Sequence, residues 1–307
     1  MTPDVGDLDG RVGAGGGRET PLRRLAVEFF ESRLAGVGFA VFAAIALVAL
    51  LGPVIAPQNP YDLAQLDILD GRLEPLSVGG NGMTYWLGTD DQGRDMLSAI
   101  LYGVRTSLVV GAISTAAALV LGSALGLISA FFGDRIDSLI MRAADIQLSF
   151  PAILIALILI AVLGKGVDKV IIALITVQWA YYARTVRGTA LVERRKEYIE
   201  AAVSLALPKM RILLRHLLPN CLPPLVVVAT VQIARAITLE ATLSFLGLGL
   251  PITEPSLGLL IANGFDYLMS GRYWISFFPG IALLITIVSI NLIGDRLRDV
   301  LNPRLRR

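Results

Sequence analysis

The sequence predicts an all-α integral membrane protein with six transmembrane helices, and three observations predict it. The 307-residue chain is 55% hydrophobic with a mean hydropathy of +0.68, well above the roughly 45–50% apolar share of soluble domains. Its apolar residues gather into six blocks near the roughly 20 residues that cover a hydrocarbon core. Basic residues then divide unevenly between the two sides that such blocks create. External segments hold only Arg72, Arg94, Arg105, Lys165, Lys169 and Arg272 of the chain's 27 Lys and Arg, Arg235 lies within a span, and the rest fall in segments assigned to the cytosol.

Residues 1–33 are read as a cytosolic N-terminal tail. Glycines, including the run Gly15-Gly16-Gly17, and scattered charges leave no apolar periodicity before Leu25, Phe29 and Phe30, so a disordered tail is expected to pass into an interfacial helix. Residues 34–56 have the length of a first span and lack the early apolar region and small-residue cleavage site of a signal peptide. Residues 57–105 form an external loop, polar and turn-rich through Pro60, Asp62, Asp67, Asp70 and the cluster 79–82. Within it Thr89 or Asp90 is placed to N-cap a helix through Met96, Leu97, Ile100 and Leu101. Its carboxylates lack the D-x-D-x-D-G order of a calcium loop, so no metal site is predicted there.

The core follows over residues 106–294. A second span, 106–132, carries Gly111, Gly122 and Gly126, and the last two make a G-x-x-x-G face that admits a neighbouring helix. A charged cytosolic turn, 133–142, leads to a third span over 143–163, an external turn over 164–169 and a fourth span over 170–183. Trp179, Tyr181 and Tyr182 are placed near the cytosolic end of that span, where amphipathic rings favour the interface. A fifth span covers 222–243, and the glycine-rich stretch 242–249 with Pro251 and Pro255 opens an external re-entrant or surface loop reaching Tyr273. The sixth span is 274–294, followed by a basic cytosolic tail over 295–307.

Between the fourth and fifth blocks, residues 200–220 read EAAVSLALPKMRILLRHLLPN. The run from Arg184 to Arg215 also holds Arg187, Arg194, Arg195, Lys196, Lys209 and Arg211, which assigns it to the cytosol. Ile199, Ala202, Val203, Ala206 and Leu207 recur at three- and four-residue steps as an apolar stripe, with Glu197, Glu200 and Ser204 off it. Pro208 predicts a bend at Leu207-Pro208 and a second helix over 209–218. A short amphipathic helix of this kind suits a partner's groove or an anionic lipid surface, and periodicity leaves both open.

The wording of this segment resembles the EAA loop of permease subunits of bacterial ABC importers. Glu200, Ala201 and Ala202 match the EAA, and His216-Leu217-Leu218-Pro219-Asn220 match the H-[IL]-L-P-N ending of the peptide branch. Ala206 stands where the family usually has glycine, the residue for which positive φ is free of strain. Leu87-Gly88-Thr89-Asp90 and Gly93-Arg94-Asp95 are similar to the LGTD-x-x-GRD element of the dipeptide and oligopeptide branch. Residues 240–249 resemble E-A-[ST]-L-S-F-L-G-L-G, and 291–299 resemble the family's ending. The likeness, to the dipeptide, oligopeptide and nickel group, covers nearly everything after Asp62. It implies a type I importer permease fold with a cytosolic coupling helix in a loop over 188–220, where Glu200, Ala201, Ala202, Ala206, Leu207, Pro208, Leu218 and Pro219 meet the ATPase. It further implies a second homologous permease subunit in a heterodimer, two cytosolic ATPase subunits that hold ATP and Mg, and an extracytoplasmic substrate-binding protein. The expected location is the bacterial cytoplasmic (inner) membrane, multi-pass, with both termini cytosolic. Di- or oligopeptides are the implied cargo, with nickel complexes, glutathione and opines carried by look-alike systems.

The residues themselves offer no catalytic set and no cofactor site. There is no G-x-x-x-x-G-K-[ST] phosphate cradle, because Gly164-Lys165 lacks both the first glycine and the Ser/Thr. A single histidine, His216, excludes paired-His zinc motifs, and a single cysteine, Cys221, excludes an intrachain disulfide. A net charge of +2 is explained by orientation in the bilayer, so nucleic acid is not expected as a partner. Ionisable groups within spans are costly and face a cavity or a partner; Asp145, Arg235 and Glu240 qualify, with Gln232 beside them as a weaker translocation-path candidate. Arg235 and Glu240 are five apart and so do not stack, and a purely structural ion-pair role stays open for each. A rival reading is a secondary transporter driven by an ion gradient, with Asp145 or Glu240 as its proton site. Its uptake would collapse with an uncoupler and ignore ATP.

Overall fold

Helices carry the whole architecture because residues in a hydrocarbon phase must satisfy their backbone groups within the segment. The computed structural model of the chain describes residues 21–80 and 82–301. Residues 1–20 of the tail predicted over 1–33, Asn81 and residues 302–307, with the basic 304, 306 and 307, lie outside the described residues. An amphipathic helix α1 (Pro21–Phe30) precedes α2 (Arg33–Ile55), whose start is capped by Ser32 accepting from Ala35 N at 3.4 Å. Leu34, Val37, Leu47, Leu50 and Val54 of α2 are exposed, as a helix facing lipid requires.

The polar segment before α3 (Met96–Phe132) folds as a small unit of two 3₁₀ turns and a hairpin, β1 (Ser77–Val78) antiparallel to β2 (Thr84–Tyr85). Contrary to the sequence expectation, neither Thr89 nor Asp90 caps the helix. Asp95 does, its carboxylate accepting from Ser98 N at 2.8 Å and Ser98 Oγ at 2.6 Å. Thr89 instead donates to the Asp70 carbonyl at 2.6 Å and accepts from Leu73 N at 2.7 Å. Asp90 accepts from Arg94 Nε at 2.5 Å and from Arg94 N at 2.9 Å, a pair almost wholly buried.

The third apolar block is not one straight crossing. Asp134–Ser149 (α4), amphipathic throughout, and Ala152–Leu163 (α5) meet at 95° around Phe150 and Pro151. Proline removes a helical donor and restricts the residue before it, which ends α4. The expected charged turn 133–142 is therefore mostly the first half of α4. The fourth block extends further than its apolar stretch: α6 (Val167–Glu193) has 27 residues, about 40 Å of helix. Trp179, Tyr181 and Tyr182 lie near the middle of this longer helix, at the end of its uncharged stretch 170–183, and Tyr182 is fully buried. By length and composition four helices (Arg33–Ile55, Met96–Phe132, Lys209–Phe245 and Trp274–Leu301) can cross a membrane, or five where the bent pair counts as one broken span. The charges at both ends of α6 dilute its apolar character, while its stretch 170–183 is uncharged.

The most extensive helix packing in the fold joins α3 to α6, on the face that the G-x-x-x-G pair predicts. A Cβ on Gly122 would sit 2.7 Å from Tyr182 Cβ, and one on Gly126 would sit 2.5 Å from the Ala183 carbonyl oxygen. After α6 come α7 (Glu197–Ser204), α8 (Lys209–Arg211), a π-helical turn over Ile212–Leu217 and α9 (Leu218–Phe245). The second cytosolic helix and the fifth span, expected as separate elements, run as one helix of 37 residues from Lys209 to Phe245. The prolines of its base, Pro219, Pro223 and Pro224, break donors without breaking the axis, and a π turn absorbs the mismatch. The loop beyond carries α10 (Leu257–Phe265), pressed so closely on α9 that a Cβ on Gly258 would be 2.6 Å from Ala241 Cα. The chain closes with α11 (Trp274–Leu301), which takes in the first seven residues of the predicted tail.

Candidate functional site

The first candidate site is the elbow between α6 and α9. Ile199 and Ala202 on one face of α7 are buried at 2% and 5% exposure, in a cluster with Ile212, Leu213, Leu217 and Cys221. The opposite face presents Glu200, Ala201, Val203 and Ser204 to the outside, and Leu205 and Met210 beyond it are exposed. Of the residues singled out from the sequence, Glu200, Ala201, Ala206, Pro208 and Pro219 are exposed, Leu207 and Leu218 are half-buried against the cluster, and Ala202 belongs to it. The bend at Leu207-Pro208 is present. Ala206 enters it with φ of +49°, and the turn closes through Leu207 N donating to the Ala202 carbonyl at 3.2 Å.

Polar contacts brace this elbow from behind. Tyr198 donates to Glu193 Oε2 at 2.7 Å, and Asn220 donates to the Tyr198 hydroxyl oxygen at 3.0 Å and to the His216 carbonyl at 2.7 Å. Burial and the Glu193 charge push the Tyr198 phenol up to about 12, so it stays a donor. Arg187 clasps both oxygens of Asp137 at 2.5 Å, tying α6 to α4, and that guanidinium holds the Asp137 carboxyl below its ordinary value. Sequence reasoning missed a groove of about 540 Å³ beside α7, lined by Phe131, Phe132, Arg194, Val203 and Lys209. Arg194 and Lys209 sit over Phe131 and Phe132 at 5.7 and 5.9 Å. Two adjacent phenylalanines at the end of an apolar block were the available signal.

The four ionisable or amide residues chosen within spans do not form one cluster. Asp145 lies on α4, exposed and paired with Arg184. Glu240 is fully buried between α3 and α9, accepting from Ser107 and Ser244 hydroxyls, each at 2.8 Å. Gln232 and Arg235 do come together: the guanidinium donates to Gln232 Oε1 at 3.2 Å and lies 5.5 Å from the Tyr181 ring centroid. Both line a cavity of about 520 Å³ shared by α5, α6 and α9, with Gln178, Thr238 and Thr242. Gln178 was legible as an amide in the otherwise apolar stretch 170–183 and was missed.

Comparison with known proteins decides what this arrangement belongs to. Residues 122–307 match the family model described as binding-protein-dependent transport system inner membrane component, and residues 20–75 match the N-terminal TM domain of oligopeptide transport permease C. The chain belongs to this permease family. It is similar to a putative peptide transport system permease protein of Brucella suis, 40% identical over 94% of each chain. It is also similar to the dipeptide transport system permease protein of Alkalihalophilus pseudofirmus, 35% identical over 94% of this chain and 91% of that one. Among solved structures, the MetNI methionine ABC transporter in inward-facing conformations covers 67% of this chain and 98% of its own, with a TM-score of 0.55 at 23% identity, which shows the fold. The permease is thus a non-catalytic, multi-pass membrane subunit of an ABC importer, a class that works with ATPase and substrate-binding partners.

Proposed function

We propose that this permease pairs with a second homologous permease subunit in the bacterial inner membrane and carries di- or oligopeptides delivered by an external binding protein. Two cytosolic ATPases, holding ATP and Mg, drive it through α7. The observation that carries the reading is the two-faced α7. One face is welded by Ile199 and Ala202 to the helix that continues without interruption to Phe245, and the other is free for a partner. A displacement of α7 is therefore passed along 37 residues, about 55 Å of helix, into the membrane. ATP binding that closes the motor would favour the permease state whose elbows lie closer together, a shift in population that needs only a difference in binding free energy between states. Relatives named for peptide and dipeptide transport, and a match to oligopeptide permease C, favour peptide cargo over nickel complexes, glutathione or opines. The charge distribution favours cytosolic termini.

Replacing residues 200–202 with a Gly/Ser run in the complete reconstituted complex tests this. Assembly and basal ATP hydrolysis should persist while ATP-driven peptide uptake falls to background. Uptake at the wild-type rate would remove α7 from the mechanism, and uptake abolished by an uncoupler but indifferent to ATP would favour the ion-gradient reading.

A further inference from the structure

We infer that the cavity around Arg235 is a carboxylate subsite in the translocation path, taking the free C-terminal carboxylate of the peptide as it passes; this rests on the peptide-importer reading above. Arg235 projects from α9 opposite Tyr181, which lies inside the uncharged stretch 170–183 of α6, toward the end where its charged residues begin. A guanidinium within a span faces a cavity or a counter-charge. Among the described residues no carboxylate pairs with it. Glu240 on the same helix is occupied by Ser107 and Ser244, and Asp145 by Arg184. Its protein contacts are the Gln232 carbonyl oxygen on one edge and the Tyr181 ring on one face, which fix the plane of the guanidinium and leave further donors unused.

A second, independent observation marks the same place. Gln178 is 3% exposed and lines this cavity, and its amide Nε2 has no hydrogen-bond partner although its Oε1 accepts from Thr115 at 3.3 Å. A buried donor left without a partner is costly and rare in native folds. A guanidinium with spare N–H donors that shares its cavity with a buried amide is complementary to an anion with two acceptor oxygens and to nothing cationic. The remaining wall, Val177, Ile153 and Leu239, is apolar, and about 520 Å³ is within the range of sites for small molecules. A group bound so would be held by one charged and one neutral donor, firm enough to order the cargo and weak enough to release it.

The test compares uptake of one dipeptide with that of its C-terminal amide, in proteoliposomes holding the full complex and saturating binding protein, for wild type, R235Q and R235K. Because one binding protein delivers both cargoes, its own preference cancels from the ratio of variant to wild type. R235Q should slow the acid about tenfold to a hundredfold, the range for losing a charged hydrogen bond, and the amide no more than about twofold. R235K should keep most of the discrimination. Equal loss for acid and amide would overturn the assignment and point to an acidic residue of the neighbouring subunit, and no loss for either would overturn it outright. If R235Q does not assemble, R235K decides: acid uptake retained preferentially supports the subsite, and equal loss overturns it. Failure of wild type to carry any peptide would instead sink the cargo reading, and this subsite with it.

Discussion

Ala206 holds φ at +49°, a region that costs an L-residue with a Cβ about 1–2 kcal/mol and glycine nothing. Glycine would add about 0.5–1 kcal/mol of unfolded-chain entropy, so the steric term wins. Ala206→Gly should therefore stabilise the elbow by up to about 1 kcal/mol, visible as slower amide hydrogen exchange over 204–208, whereas Ala206→Val should accelerate it. Faster exchange in the glycine variant would show the turn to be unstrained. Asp91 makes a separate case on the outer side. Its carboxyl is raised above its ordinary value by burial first and by the adjacent Asp90 charge second, and its Oδ1 has no partner. A raised carboxyl means the folded state holds the proton more tightly than the unfolded one, so its contribution is present at low pH and is lost as pH rises through the carboxylate range and past the folded value. Asp91→Asn cannot titrate. Its thermal-stability advantage over wild type should grow between pH 4 and pH 7, and a difference independent of pH would refute this account.

At the scale of elements, the α3–α6 contact is set by the absence of side chains. A Cβ at Gly122 or Gly126 meets α6 backbone or buried Cβ atoms rather than a movable side-chain tip. Gly126→Val should force the helices apart at about 1–3 kcal/mol or more, read as loss of the monodisperse complex on size exclusion. Gly188→Ala, on the same α6 with nothing within 4 Å, is the control and should be neutral or mildly stabilising. Such pairs were legible because small residues four apart announce themselves in an apolar run. The six apolar blocks were equally plain, but their joints were not. Pro151 ended a helix where Pro219, Pro223 and Pro224 did not, because a π turn and the Asn220 side chain take up carbonyls at the base of α9. The length of α6 was hidden because its helical period continues into charged residues that hydropathy discounts. Three neighbouring acceptors, Thr89, Asp90 and Asp95, all had the chemistry of an N-cap. Only the partners brought by Asp70, Leu73 and Arg94 decided which was free to serve. In the candidate site, the exposure of Glu200 and Ser204 and the burial of Ile199 and Ala202 followed from the apolar stripe, but Val203 and Ala206, counted in that stripe, are exposed, and the placing of Gln178 and Arg235 on one cavity depends on how α6 and α9 cross.

Over the whole molecule, three contacts sort the chain into two ends. Arg296 of α11 donates to the carbonyls of Glu28 and Phe29 and approaches Glu31 at 3.7 Å, binding α1 to the last helix. Arg298 and Leu301 of α11 share a cleft with Glu193 and Asn220 of the elbow. At the other end Trp274 Nε1 donates to the Thr89 carbonyl at 3.2 Å, joining the start of α11 to the hairpin unit. The described ends of the chain and the elbow thus lie together, and the unit preceding α3 lies opposite, so one orientation in the bilayer fixes all of them. The distribution of Lys and Arg favours the elbow inside. The only cysteine, Cys221, is buried, which makes single-cysteine labelling clean. In intact spheroplasts a membrane-impermeant maleimide should modify Leu69→Cys and Met269→Cys, whose positions are 91% and 99% exposed, and should reach Asp299→Cys only after permeabilisation. The reverse pattern would turn the permease over in the membrane and put α7 out of reach of any cytosolic motor, which would undo the coupling proposal while leaving the fold untouched.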